Sequence, residues 1–564
     1  MGMKTTIIQT FSEHGTFVQP DTIDYILSKP KPVEFTSFII KNLKECPLVL
    51  TVEHIKKIEN TAQQKPIRES ETTKEQKPEE IKKLQTKMLS TIYGEGEIKP
   101  KNVEDEETEF DDPDKSDQIT LQDETEQQET ILEPIKLEKI KTWKPFASEY
   151  EAEISIIKDI TGNSTCEGTT NDFTKLFRNR YNSLRKILRS QRREVANTIP
   201  IKHVKKTPIK EIKIIGIVKE IRTTTNGHKL IELEDETDTI TCIALKNNSQ
   251  AYQTASEVVL DEIIGIQGQM SRNGDLLVIN SIIYPDISIQ NQRHKSEIPL
   301  YAAFLSDIHI GSKKFMLEQW NSFLKWINGQ LGNSRQRDVA GKIKYLIVPG
   351  DVVDGIGIYP NQENELSISD VYRQYEALAE QLRLIPDHIT IIIQPGNHDA
   401  VRPAEPQPTF EKEIQNLFSD MNIIFVGNPC YFSIHDVEIL SYHGQSLLDY
   451  ATNIQHLKYN EPIEIMKIML KKHHLAPTYG GYTPLAPEHI DYMIIDKIPD
   501  VFVTGHVHLA QIGEYRGVKL INASSWQSQT VYQKMLNFIP DSAKLPILDL
   551  KSGNITMMDF SRKI

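Results

Sequence analysis

Along the chain the spacing of apolar residues changes repeatedly, and each change marks a different kind of structure. Residues 1–60 carry apolar clusters at helical spacing (TIDYILS, FTSFIIKNL, LTVEHIKKI), punctuated by Pro20, Pro30, Pro32 and Pro47. That punctuation separates short helices, and an N-terminal module of three or four is expected. From 61 to 141 the pattern stops and Glu, Gln, Lys, Thr and Asp dominate. Such a stretch cannot bury enough apolar area to offset the entropy of ordering it, so a disordered acidic linker is expected. Residues 142–207 read as a connector built around one helix, NDFTKLFRNRYNSLRKILRSQRR (171–193). Phe173, Phe177, Leu184 and Leu188 fall near one of its faces.

Between 208 and 286 five short runs rich in Ile and Val follow one another: IKIIGIVKEIR, HKLIELED, DTITCIALK, EIIGIQGQM and DLLVINSIIY. Turn residues separate them, Thr-Asn-Gly at 225–227 and Asn-Gly-Asp at 273–275. Five strands in so short a span, with Gly216 and Gly265 where strands could bend, suit an OB-type β-barrel. Such barrels bind single strands or serve as docking modules, and the scarcity of aromatics in these runs favours docking. The last domain, 297–564, alternates short apolar runs with helical patterns such as KFMLEQWNSFLKWINGQL (314–331) and SDVYRQYEALAEQLRLI (369–385). That alternation is the mark of a layered α/β domain.

Composition changes this picture little, and charge changes it more. At 564 residues, with 38% hydrophobic and 25% charged, the chain is too long for one core and calls for two to four domains. No apolar run reaches the ~20 residues of a membrane span, so no membrane association is expected. No basic-then-apolar leader opens it, so no secretory signal is expected either. Cys46, Cys166, Cys242 and Cys430 are scattered, which argues against a zinc ribbon or a disulfide framework and fits a reducing cytoplasm. The net charge of −13 sits in one place: Val103–Glu133 holds fourteen Asp and Glu against the single Lys115. The remainder is close to neutral and can hold basic patches. One candidate lies between Lys175 and Arg193, where Lys175, Arg178, Arg180, Arg185, Lys186, Arg189, Arg192 and Arg193 include no acid. These residues suit either a phosphate-binding face or a helix docked on an acidic surface.

The chemistry concentrates in the last domain, where five apolar runs each end on metal-type ligands. YAAFLSDIHIG ends on Asp307 and His309, and KYLIVPGDVVDG on Asp351 and Asp354. ITIIIQPGNHDA ends on Asn397, His398 and Asp399, VEILSYHGQS on His443, and DVFVTGHVHLA on His506 and His508. Strand ends on one edge of a sheet converge, however far apart in sequence they lie. Imidazoles with carboxylates and an amide oxygen suit Mn²⁺, Fe²⁺ or Zn²⁺, and the ligands suffice for two ions sharing a carboxylate. A lone DxH or HxH means little, and GNHD alone could be a turn. Five such clusters in order, each after an apolar strand, are not a chance pattern.

DxH, GDxxDG, GNHD, a lone His-Gly and GHxH together resemble the calcineurin-like metallophosphoesterase superfamily over roughly residues 300–530. The resemblance implies a β-sandwich flanked by helices. It places Asp307, His309, Asp351 and His508 on one metal and Asp351, Asn397, His443 and His506 on the other, with Asp351 bridging. It makes His398 the group that protonates the leaving oxygen, with Asp399 orienting that imidazole. Asp354 is either a further orienting group or a turn cap. The order of helical module, acidic linker, barrel and phosphoesterase, with GNST (162–165) and KKHHLAPTYGG (471–481), resembles the small-subunit family of archaeal family-D DNA polymerases. That resemblance implies a Mn²⁺-dependent 3′-to-5′ proofreading exonuclease acting on single-stranded 3′ ends within a DNA polymerase complex. The implied partners are DNA, a large catalytic subunit and, as a further candidate, the sliding clamp. Its rivals are a catalytically silent structural subunit and a stand-alone repair nuclease. No second carboxylate-rich set is present to carry polymerisation. His473 and His474 follow a helical stretch whose C-terminal dipole favours them, so they are left out of the metal site. His474 with Tyr479 is expected along a DNA-entry path.

Overall fold

The computed structural model describes residues 143–206, 211–289 and 291–562, together with 17–18, 20–27, 29, 31–42, 49–50, 55 and 135–137. Apart from 135–137, the expected linker at 61–141 lies outside the described residues. The chain forms two units, Met1–Ile81 and Lys82–Ile564. In the first, helices Pro20–Leu27 and Pro32–Asn42 each begin on a proline, whose fixed φ and missing N–H suit a first turn. Ile26, Ile39 and Ile55 make its small core. Strands β1 (Phe17–Val18) and β2 (Val49–Leu50) pair in parallel. Three or four helices were expected; two are described in full, Ile55 of the third expected run is helical, and Val49–Leu50 is extended just ahead of it.

In the second unit β4 (Ile212–Thr223), β5 (Lys229–Glu234), β6 (Thr239–Ala244), β7 (Ile263–Met270) and β8 (Leu277–Ile283) coincide with the five apolar runs. They close into a barrel in the order β4-β5-β6-β8-β7, the β6–β8 pair being parallel. Alternate residues (Ile212 and Ile214, Ile231 and Leu233, Ile264 and Ile266) fill the interior. Gly216 and Gly265 were expected at bends. The register instead shifts at Val218/Glu220 and at Gln267/Gly268. Gly265 serves close packing, because a Cβ there would stand 2.8 Å from Val195 Cγ1.

Helix Thr170–Gln191 lies on the barrel's outer face, where Tyr181, Leu184 and Leu188 meet Ile215, Ile263 and Ile283. Leu176 and Arg180 are buried rather than Phe173 and Phe177, which lie against the exposed Tyr479 at ring distances of 4.9 and 6.3 Å. The expected apolar face holds at Leu184 and Leu188 and fails at Phe173 and Phe177. Arg180, read as part of a basic surface, is fully buried, with its Nε 2.6 Å from Asp491 Oδ2.

The catalytic-type motifs sit in a sandwich of two six-stranded sheets. The first has the order β12 (Ile423–Phe425), β11 (Thr390–Gln394), β10 (Ile343–Pro349), β9 (Tyr301–Phe304), β18 (Lys544–Asp549), β19 (Ile555–Asp559). The second runs β16 (Gln511–Tyr515), β17 (Val518–Asn522), β15 (Val501–Thr504), β14 (Val437–Ser441), β13 (Cys430–Ile434), β3 (Ile154–Lys158). Tyr345 and Ile347 of β10 face the inter-sheet core with Phe432, Ile439 and Val503. Leu346 and Val348 face outward onto Trp320, Phe323 and Leu378 of the covering helices. Helix Pro462–Lys472 covers the second sheet. A strand buried on both faces loses its polar alternation, so after Lys344 the strand reads as the continuous apolar run YLIVP. The fold is thus mixed α/β, with helical layers outside two sheets and a separate closed barrel. β3 was not expected: it comes from the segment read as a connector, yet pairs with β13. The expected boundary at residue 297 therefore leaves out part of the sandwich. Among the described residues no helix is long and apolar enough to cross a membrane.

Candidate metal centre

β9, β10 and β11 run parallel and adjacent, as do β14 and β15. All five motifs therefore emerge from the C-terminal edges of neighbouring strands. Asp307, His309, Asp351, His506 and His508 hold φ values of 51°, 54°, 52°, 66° and 57°. A non-glycine residue in that left-handed region is uncommon and costs about 1–3 kcal/mol, which is tolerated where a side chain must be aimed. The motif glycines allow the loops to close. A Cβ on Gly396 would lie 2.2 Å from Asp351 Oδ1, and one on Gly505 would lie 2.0 Å from Ser306 Oγ.

The predicted ligands form two groups. In one, His309 Nε2 and His508 Nε2 stand 3.1 Å apart, and Asp307 Oδ1 is 3.2 Å from His508 Nε2 and 3.9 Å from His309 Nε2. In the other, His443 Nε2 is 3.3 Å from Asp351 Oδ2 and 3.0 Å from Asn397 Oδ1. His506 completes it, with one ligand atom each from Asp351, His443 and His506 within 4.8 Å of one another. Asp351 also lies within that distance of His309 and His398, which puts it between the groups. Ligand bonds of ~2.0–2.2 Å place neighbouring ligand atoms of one ion about 3.0–3.5 Å apart. The donor set and its spacings fit divalent ions at both groups.

Burial sharpens the case. Asp307, His309, Asp351, Asp354 and His443 are fully buried, and the cavity above them includes no Lys or Arg in its lining. Buried carboxylates without a fixed cation need protons or metal. The imidazoles divide accordingly. Burial alone would lower His443, but Asp351 and Asp307 outweigh it and hold this group at about 10. His506 is pushed down to about 3 by burial and by the charge on His443. Burial pushes Asp399 up to about 7, with the charge of Asp351 adding to it.

Backbone carbonyls and Asp354 set the ring orientations. His443 Nδ1 is 2.8 Å from the Pro349 carbonyl, so Nε2 faces the site. Asp354 Oδ1 lies 3.0 Å from His309 Nδ1 and accepts a 2.8 Å bond from Gln527 Nε2, contacts that suit an orienting group. His398 Nδ1 is 2.8 Å from the Asp354 carbonyl, and its Nε2 lies 4.0 Å from Asp351 Oδ2. Asp399 was expected to orient His398. Its carboxylate instead accepts from Gly396 N at 2.8 Å and Tyr375 Oη at 3.3 Å, which ties the GNHD turn to a covering helix. Gln527 was missed because it follows no motif.

The remaining candidates lie elsewhere. His473 caps its helix and bonds to the Ile495 carbonyl, in keeping with its exclusion. His474 is buried with Nε2 3.0 Å from Asp491 Oδ2, so it cannot line an entry path. A further grouping, His294, Glu438 and Asp500, lies toward the opposite ends of β14 and β15, and Lys497 already pairs with its Glu438.

Comparison with known proteins shows the family. A family model for the DNA polymerase alpha/epsilon B-subunit matches residues 302–513, which include every ligand from Asp307 to His508. The DNA polymerase II small subunit of Archaeoglobus fulgidus is 45% identical over 388 residues, 69% of this chain and 77% of its own. That of Methanocaldococcus jannaschii is 41% identical over 410 residues, 72% and 68% of the two chains. That of Thermoplasma acidophilum is 40% identical over 72% and 80%. Among solved structures, an archaeal phosphodiesterase overlaps 46% of this chain and 99% of its own at 16% identity, with a TM-score of 0.24, a likeness too distant to bear on function. With such identity over most of both chains, this protein belongs to the family of archaeal DNA polymerase II small subunits, the small subunits of family-D DNA polymerase.

Proposed function

We propose that the chain is a two-metal nuclease that removes nucleotides from single-stranded 3′ DNA ends, working beside and scaffolding a large polymerase subunit. The observation that carries this reading is the pair of ligand groups sharing Asp351 at the edges of five strands, with His398 at their boundary. Asp307, His309, Asp351 and His508 would hold one ion, and Asp351, Asn397, His443 and His506 the other. Divalent ions held there, Mn²⁺ suiting these donors, would polarise a phosphodiester and lower the pKa of a bound water toward neutrality. The chain's own residues do the rest. His398, held through Nδ1 by the Asp354 carbonyl, turns Nε2 toward the cavity, where it can pass a proton to a leaving oxygen. The Pro349 carbonyl and Asp354 keep His443 and His309 in their ligating orientations. The small-subunit relatives support a large-subunit partner.

The test is digestion of 5′-labelled single-stranded DNA by the full chain with Mn²⁺, with EDTA, and as the His398→Ala variant. A metal-dependent ladder shortening from the 3′ end is expected, with kcat reduced about 10²–10⁴-fold in the variant and metal content unchanged. Absence of cleavage even with the large subunit present would leave a purely structural subunit as the reading.

A further inference from the structure

The cavity above the ligand groups has a volume of about 290 Å³, just below the ~300–1,000 Å³ typical of small-ligand pockets. Its floor is His309, Asp351, His398 and His506, which the reaction proposed above uses. Its walls include Tyr359, Tyr459, Tyr532 and Phe538, which that reaction does not. A phosphodiester is charged and gains nothing from an aromatic wall. The wall fits something flat and apolar covalently attached to the phosphate.

The aromatic groups run outward in a row. The His398 ring is 4.7 Å from that of His309, Tyr359 is 6.4 Å from His398, and Tyr532 is 5.5 Å from Tyr359. Tyr359 and Tyr532 are nearly parallel, at 22°. Tyr532 is 40% exposed on helix Val531–Met535, which buries none of its own side chains. A tyrosine on such an element contributes nothing to a core. Tyr359 follows Gly355-Ile356-Gly357-Ile358, whose two isoleucines are also exposed, so the apolar surface continues around the rim.

We infer that Tyr359 and Tyr532 form a stacking platform for an unpaired nucleobase adjoining the scissile phosphate. The inference rests on the nuclease reading for the identity of the substrate. Stacking explains why the site would take single strands of any sequence, because every base presents a π face. A base inside a duplex has both faces covered by its neighbours, so a base within a paired region must unstack before it can occupy the platform.

The test is fluorescence anisotropy of the full chain with a 5′-labelled oligothymidine, and with the same strand ending in two abasic residues. Loss of an aromatic stacking partner to alanine costs roughly five- to 150-fold in affinity per base. Tyr532→Ala should weaken binding of the intact strand at least fivefold and leave the abasic strand unaffected, while Tyr532→Phe binds both as the unaltered chain does. Equal losses on the two strands, no loss on either, or no binding by the unaltered chain would overturn the platform. Binding requires no turnover. The expected pattern without cleavage, even with the large subunit present, would therefore sink the nuclease reading and leave the platform standing, whereas cleavage without the pattern would do the reverse.

Discussion

Asp354 contributes no atom to either ligand group, yet its carboxylate lies 3.0 Å from His309 Nδ1 and its carbonyl 2.8 Å from His398 Nδ1. One residue thus orients both a ligand and the proposed proton donor. Replacing it as Asp354→Asn removes the charge that holds His309 while keeping the backbone carbonyl. Metal affinity is expected to fall about 10–100-fold with His398 still positioned, as measured by metal titration. His443 makes a second residue-scale prediction. Its imidazole, held at about 10 against the pull of burial by Asp351 and Asp307, is protonated at pH 7.5 without metal. Ligation requires the neutral form, so loading the site should release about one proton at pH 7.5 and none well above pH 10. Calorimetric titration in buffers of different ionisation enthalpy reads this directly, and no release at pH 7.5 would contradict it.

At the scale of elements, strand ends were legible in the sequence and orientations were not. The five barrel runs and the five ligand-bearing run ends could be read because buried strands are continuous apolar segments closed by turn residues. Helix Thr170–Gln191 was legible as a helix, but its face was misread in part. Leu184 and Leu188 point inward as read, but Phe173 and Phe177 give way to Leu176 and Arg180, whose guanidinium is held by Asp491 and the carbonyls of Asp261 and Pro477. A buried charge is invisible in a hydrophobicity pattern, since its partner is supplied by a loop hundreds of residues away. Asp399 was misassigned for a similar reason, because adjacency to His398 in sequence says nothing of which group its carboxylate faces. Tyr359 and Tyr532 were missed because each lies in a loop or short helix without periodicity. The Arg180–Asp491 pair yields a prediction. Arg180→Ala strands a buried carboxylate and should destabilise the second unit by about 3–5 kcal/mol in urea unfolding. Arg178→Ala, two residues away and exposed, should change stability by no more than about 0.5 kcal/mol.

For the whole molecule, the path of the chain has its own consequence. β3 precedes the barrel, and its pairing partner β13 follows it, with Lys158 opposite Tyr431. The barrel is therefore an insertion within the sandwich, and the two share one structural unit. A chain emerging from the ribosome can close the barrel once residue 283 is out, but it must hold β3 in waiting until residue 434 appears. Closing so long a loop costs little more than closing a short one, because the entropy grows only with the logarithm of length. The wait itself leaves apolar strands uncovered. A fragment starting at residue 297 never receives β3, and its β13 edge, carrying Phe432 and Ile434, is left open to other chains. Such a fragment is expected to self-associate on size-exclusion chromatography, whereas a fragment starting at residue 143 should elute as a single species. Synthesis order, more than domain count, sets where this chain can be cut.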